Sequence, residues 1–340
     1  MAGLVLLAAL LAGCGNPQHP PVPGLDGEAA LRFVKEFATY PDGAPRFRMP
    51  GTVGQQEGAA VLWNATAVPG WERTWQNFTG EDYLRLDRTV VAGYTPGPGV
   101  HRAYCSEGDE RRVPGLRFAN LLAVHPGPRG APMVLLAAHW DSQMNSNYDP
   151  DASKRHLPDP GANDGASGVG LLLQLMRQIP AGLPVSVGIL FVDGEDGFYN
   201  CYPDAGSLYF AQHPAASASA FILLDMVGDP GALYPKETNS VRSAASLVEL
   251  VWRHGQSTAY GAAHFVNRSA DISDDHLAFI QAGIPAIDIV DAGRPTTFPP
   301  QWDTTMDTVD KLDAAMLGLV GDTLLATLRD PSLPGLLQAP

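Results

Sequence analysis

The sequence predicts an α/β protein, a three-layer α/β/α sandwich around a mostly parallel, mixed central sheet. Three observations predict it. Short runs rich in Val, Ile and Leu recur along the chain, they alternate with segments of helical period, and several of them end in His or acidic residues. Strands this apolar are buried on both faces, as in a parallel sheet covered by helices. With 340 residues, 45% hydrophobic and 17% charged, the chain is long enough for one large domain with a substantial core. The same figures exclude disordered and fibrous classes.

The elements follow in order. Asp26 is the expected N-cap of a first helix with Ala30, Phe33, Val34 and Phe37 on one face. Residues 117–125 and 133–139 read as strands, and 164–179 as a helix opening on small residues. A strand at 185–193, a short helix at 206–213 and a strand at 219–226 come next. A helix over 240–256, a shorter one near 274–282, a strand at 285–290 and a final helix from Thr308 to about 328 close the series. That last helix is expected to put Leu312, Met316, Leu319 and Val320 on one side.

The chain's start carries a different signal. Residues 1–13, MAGLVLLAALLAG, are apolar but too few to span a bilayer, and they fit the core of a secretory signal. Leu11-Ala12-Gly13-Cys14 resembles a bacterial lipobox, which makes Cys14 the expected lipidation site. Residues 14–25 are Pro-rich and read as a tether, leaving 26–330 as one catalytic domain. The expectation is an exported cell-envelope lipoprotein, held at the membrane only by its lipid. Cys105 and Cys201 then either pair or serve as small apolar side chains. A net charge of −14, from 36 acidic and 22 basic residues, argues against nucleic acid as a partner.

In parallel sheets ligands bind beyond the carboxyl ends of the strands. The run MVLLAA ends in His139-Trp140-Asp141-Ser142, GILFV in Asp193-Gly194-Glu195-Asp196, and FILL in Asp225. Between them Gly161-Ala162-Asn163-Asp164-Gly165 opens a helix with an Asp. Singly, such an Asp is a helix cap and such a His a structural group. Together they predict one His and several carboxylates at one sheet edge. Clustered carboxylates protonate unless a cation neutralises them, and a divalent metal held by His and Asp/Glu is the simple remedy.

The ordered set AAHWDS, PGANDGASGVGLLLQLMRQI, FVDGED, FILLDMVGD and SDDHLAFIQAGIPAIDI resembles the zinc aminopeptidase-like superfamily. It is most similar to the glutaminyl-peptide cyclotransferase (glutaminyl cyclase) branch. The resemblance covers about 117 to 313 and extends to Arg48-Met49-Pro50-Gly51-Thr52, similar to an R-x-P-G-T segment of that branch. It implies a zinc-exopeptidase-like fold and conversion of the N-terminal Gln of peptides or proteins to pyroglutamate, with release of ammonia. Carried over by position, it implies Asp164, Asp196 and Asp303 as zinc ligands and Glu195 as the general acid/base. Asp225 and Asp274 would form a catalytic carboxylate network beside a single zinc. In the aminopeptidases His139 and Asp225 would instead hold a second metal. Trp302, Phe298 and His276 would lie at the substrate pocket.

The pattern breaks at two ligands. Asp196 stands where a Glu is usual, and Asp303 in Gln301-Trp302-Asp303-Thr304 stands at a His position. An all-carboxylate set makes zinc a weaker Lewis acid and favours a harder divalent cation. His101, His125, His156 and His264 have no motif support as replacements. A zinc aminopeptidase is the alternative activity, and a catalytically dead peptide-binding lipoprotein is a third reading. Metal stoichiometry separates the first two, at one metal per chain for the cyclase and two for the peptidase.

Overall fold

The computed structural model describes residues 24–86, 111–196, 203–294 and 298–338. Cys14, Cys105, Cys201, His101 and the expected leader lie outside the described residues, as does nearly all of the tether. The strands are β1 (Glu72–Thr79), β2 (Arg117–His125), β3 (Met133–His139), β4 (Ser186–Val192), β5 (Ala220–Asp225), β6 (Tyr234–Glu237), β7 (Phe265–Ala270) and β8 (Ala286–Val290). The helices are α1 (Gly27–Ala38), α2 (Val53–Ala65), α3 (Gly80–Arg85), α4 (Ala166–Gln178), α5 (Ala205–Gln212), α6 (Thr238–Gly255), α7 (Ala259–His264), α8 (His276–Gln281), α9 (Ala314–Arg329) and α10 (Leu333–Leu336). Among the described residues, no helix is long and apolar enough to cross a membrane.

Six strands form one sheet in the order β1-β2-β4-β3-β5-β8, and β6 pairs with β7 separately. β4, β3, β5 and β8 run parallel, while β1 and β2 extend the sheet antiparallel. The expected mixed, mostly parallel sheet is therefore observed. Its strands are apolar on both faces because each face meets helices. On β3, Val134, Leu136 and Ala138 join one core cluster, and Leu135 and Ala137 join the other. The first cluster takes Val34 and Phe37 of α1, Leu172 of α4, Val251 of α6 and Val320 of α9. The second takes Tyr83 of α3, Leu208 of α5 and Phe279 of α8.

The first helix is capped as its sequence predicts. Asp26 accepts a hydrogen bond from the Ala29 amide at 2.9 Å, satisfying one of the orphan donors of α1. α1 packs tightly on α4, where a side chain at Gly170 would meet Val34 and Ala30 within 2.8 Å. The expectation for the last helix needs correction. A 3-10 turn over Val309–Lys311 precedes it, and α9 starts only after Asp313, whose carboxylate caps the Ala315 amide. Leu312 lies outside the helix and packs from the preceding loop.

Because β3, β4, β5 and β8 are parallel, their carboxyl ends share one edge. That edge carries His139, the turn after Val192, Asp225 and the segment after Val290.

Candidate metal centre and active site

His139 ends β3 with its ring buried against the turn that starts α4. Gly165 there has φ +78°, and a Cβ on it would lie 2.6–3.0 Å from the His139 ring atoms. Only glycine meets both conditions, so the Asp164-Gly165 pair lets a carboxylate and an imidazole share one small space. His139 Nε2 lies 2.9 Å from Asp164 Oδ1 and 3.4 Å from Asp225 Oδ1. Its Nδ1 lies 3.5 Å from Asp141 Oδ1, 3.8 Å from Glu195 Oε2 and 3.9 Å from Asp196 Oδ2. His139, Asp164, Glu195 and Asp196 each offer one ligand atom, and these atoms lie within 4.8 Å of one another. The side chains are buried except for Glu195, which is 20% exposed and so faces whatever enters the site.

The turn carrying Glu195 and Asp196 is held from behind. The Glu195 amide donates to Asp141 Oδ1 at 3.1 Å and the Asp196 amide to Asp141 Oδ2 at 3.3 Å. Asp193 takes Gln55 Nε2 at 2.7 Å and the Ala119 amide at 2.9 Å. On the opposite side, Asp307 accepts from the amides of Asn163 and Asp164 at 2.9 and 3.0 Å, fixing the turn before α4. Beneath both, the buried Arg48 guanidinium donates to the carbonyls of Trp140, Arg46, Pro160, Asp141 and Gly161. Burial pushes its pKa down to about 10.

The electrostatics call for a cation. Burial pushes the Glu195 carboxyl well up, His139 opposes this, and Asp196, Asp274 and Asp275 push it further. Asp196 is raised by burial and then by Asp164, and Asp225 likewise. Burial works against a charge on His139, but Glu195 and contacts with Asp141, Asp164 and Asp225 outweigh it and raise its pKa. The residues also fit a metal by an independent test. Both ring nitrogens of His139, Asp196 Oδ2 and Asp225 Oδ1 are buried without a hydrogen bond of proper geometry. Buried donors and acceptors left this way are costly in a native protein and are what an ion would satisfy.

Asp303 is buried and stays outside the four-residue group. Burial and the charges of Asp164, Asp307 and Asp225 push its carboxyl well up. Its backbone is left-handed, φ +52°, as is that of Met226 directly after Asp225, φ +50°. Such conformations cost a non-glycine residue about 1 kcal/mol or more and gather at functional sites. Asp274 lies beside Glu195, Asp225 and Asp288 and accepts from the Asp275 amide at 2.6 Å. Phe298 and Trp302 are half-buried, with ring centroids 4.2 Å apart, and pack on Met226, Ile272, Val290 and Ala292. This apolar wall stands next to Asp225 and Asp303.

His276 does not line this wall. It is fully buried, with Nε2 3.2 Å from Glu237 and Nδ1 3.9 Å from Asp288, and its place is behind Asp274. The sequence reading assigned no role to Asp141, Asp307 or Asp193. For Asp141 the signal was present, two residues after His139 in the run His139-Trp140-Asp141-Ser142.

A His and several carboxylates gathered at the carboxyl edge of a parallel sheet make a candidate metal site. Residues 120–328 match peptidase family M28, and the chain belongs to that family. A glutaminyl-peptide cyclotransferase-like protein of Mus musculus is 26% identical over 226 residues, 57% of this chain and 55% of the mouse protein. The chain thus aligns with just over half the length of that curated relative. Two solved structures extend over more of the fold. Bacteroides thetaiotaomicron glutaminyl cyclase, bound to N-acetylhistamine, has a TM-score of 0.73 and 28% identity, covering 91% of this chain and 99% of that one. A Zn-dependent exopeptidase from Parabacteroides distasonis has a TM-score of 0.73 and 29% identity with the same coverage. The fold is therefore zinc-exopeptidase-like.

Proposed function

We propose that the chain is a metal-dependent glutaminyl-peptide cyclotransferase acting on peptides or proteins with an N-terminal Gln. One observation carries this reading: Glu195, the most exposed member of a His/Asp/Glu cluster whose other side chains are buried, stands with His139, Asp164 and Asp196. Asp164 and Asp196, with His139 or Asp303 as the third donor, would hold one zinc or a harder divalent cation. Such an ion supplies Lewis-acid polarisation of the γ-carboxamide carbonyl when bound.

The remaining work falls to the chain's own residues. Phe298 and Trp302 hold the Gln side chain bent toward its own amine, which orients an attack that is intramolecular by constitution. Glu195 takes a proton from the attacking α-amine and delivers it to the departing ammonia, leaving a lactam. A carboxyl raised by burial is suited to both halves of that transfer. Asp274 pushes the Glu195 carboxyl up, and Asp225 acts in the same way on Asp274.

A second reading, a zinc aminopeptidase, is favoured by His139 and Asp225. Their atoms lie 3.4 Å apart and could complete a second metal's ligands. Export and anchoring through a lipidated Cys14 belong to the same proposal. Incubating metal-loaded protein with Gln-initiated peptides and with aminoacyl amides tests it. Ammonia release with a pyroglutamyl product supports the cyclase. Release of free N-terminal residues instead would favour the peptidase.

A further inference from the structure

The apolar wall at Phe298 and Trp302 is built from three chain segments that a buried polar network ties together. Each segment gives residues to the wall and a close neighbour to the network. Met226 is followed by Asp229, Asp291 lies between Val290 and Ala292, and Gln301 directly precedes Trp302. Asp229, Asp291 and Gln301 are all buried. The Arg294 guanidinium joins the two acids, its Nη2 donating to Asp291 Oδ2 at 3.0 Å and to Asp229 Oδ1. Two amides of the loop after β5 add to this: Gly231 donates to Asp229 Oδ1 at 2.7 Å and Leu233 to Asp291 Oδ1 at 2.9 Å. The ends of β5 and β8 are thus joined by charge and by backbone. The other oxygen of Asp229, Oδ2, accepts from Gln301 Nε2. Gln301 is therefore the network's member from the loop that carries Trp302 and Asp303.

We propose that Gln301 is a positioning residue for substrate binding: gripped by Asp229, it holds Trp302 docked against the ends of β5 and β8. The inference rests on the reading that Trp302 meets the N-terminal Gln of a bound peptide. The driving force lies in Asp229. A buried carboxylate oxygen that loses its donor is costly, and a charge-assisted hydrogen bond shifts an equilibrium by about 10–100-fold. With the contact made, nearly all molecules hold the docked loop. Without it only a fraction do, and apparent affinity falls by that fraction while the bound complex is unchanged. The signature is a rise in KM and Kd with kcat retained. A residue that served the fold alone would leave KM and Kd of the folded molecules as they are.

The test uses metal-loaded protein and the peptide amide Gln-Phe. KM and kcat for ammonia release, and Kd by calorimetry, are measured for the wild type, Gln301→Leu, Asp229→Ala, the double variant and Asp229→Asn. In Gln301→Leu, KM and Kd rise together by about 10–100-fold while kcat stays within about 3-fold of the wild type. Asp229→Ala gives a rise of at least that size, and adding Gln301→Leu to it changes nothing further, because both remove the same contact. Asp229→Asn keeps most of the affinity, since its oxygen still accepts from Arg294 and its amide donates to Gln301 Oε1 once that amide turns over. An unchanged Kd in Gln301→Leu, or rises that multiply in the double variant, overturns the inference. If Asp229→Ala does not fold, Gln301→Leu alone decides. If the wild type binds the peptide but releases no ammonia, the cyclase reading fails while the Kd series still decides the role of Gln301. A wild type that does not bind the peptide overturns both.

Discussion

Replacing Arg48 with Met removes the cation that ties three chain segments together beneath the site. The guanidinium is fully buried and reaches five carbonyls, at 2.9 Å (Trp140), 3.1 Å (Arg46), 3.1 Å (Pro160), 3.3 Å (Asp141) and 2.7 Å (Gly161). A hydrogen bond from a charged donor contributes ~1.5–3 kcal/mol net, so five would sum to more than a single residue delivers. Burial opposes them. The fall in pKa from 12.5 to about 10 corresponds to a penalty on the order of 3 kcal/mol against the charged form. Met fills the volume without that penalty but leaves the five carbonyls without their donor. The balance resembles breaking a buried ion pair, about 3–5 kcal/mol of destabilisation. Urea unfolding followed by Trp fluorescence reads it. With an m-value of about 3 kcal/mol/M, the midpoint falls by roughly 1–1.7 M with no change in slope. A shift under roughly 0.3 M would refute the assignment of Arg48 as the tie between these segments.

Other consequences can be checked in parallel. Asp141→Asn keeps the shape behind Glu195 and Asp196 but loses a charge beside His139. Zinc affinity should fall by about 10–100-fold, measured by competition with a chromogenic chelator. Glu195→Gln should lower kcat for ammonia release by about 100–10,000-fold while metal content by atomic absorption stays level; near-normal turnover would remove Glu195 from the proton transfer. Asp303→His should tighten zinc, and weaker zinc retention would mean that Asp303 is not a ligand. Glu237, the cap of α6 and the partner of His276, has its pKa lowered from 4.5 to about 2, with burial opposing and His276 outweighing it. A depressed carboxyl stabilises the fold above its unfolded pKa and loses that contribution as pH falls through the folded value. Wild-type stability should therefore drop by up to about 3 kcal/mol more than that of Glu237→Gln between pH 5 and pH 2, and parallel curves would contradict this.

The parallel strands were legible because β3, β4, β5 and β8 are buried on both sides and hence apolar throughout. β1 was not, since ERTWQNFT is an edge strand whose side chains are mostly half-exposed and polar. β7 is hidden for the same reason, with Asn267, Arg268 and Ser269 exposed along it. At the site, His139, Asp164, Glu195, Asp196 and Asp225 are brought together as their positions at strand and helix ends implied, whereas Asp274 was legible only through the family resemblance. The second layer was harder to see. Asp141 and Asp307 act by accepting backbone amides from segments 54 and 143 residues away, which no local pattern encodes. His276 looked like a pocket residue because it follows Asp274-Asp275, but the turn into α8 points it inward to Glu237.

Titration of zinc into metal-free protein by calorimetry, beside Asp164→Asn and Asp196→Asn, tests most directly whether the carboxylate cluster is a cation site. The account predicts saturable binding to the wild type, with one ion per chain for the cyclase, and its loss in both variants. A wild type that takes up no divalent ion, or variants that bind as tightly as it does, would contradict it.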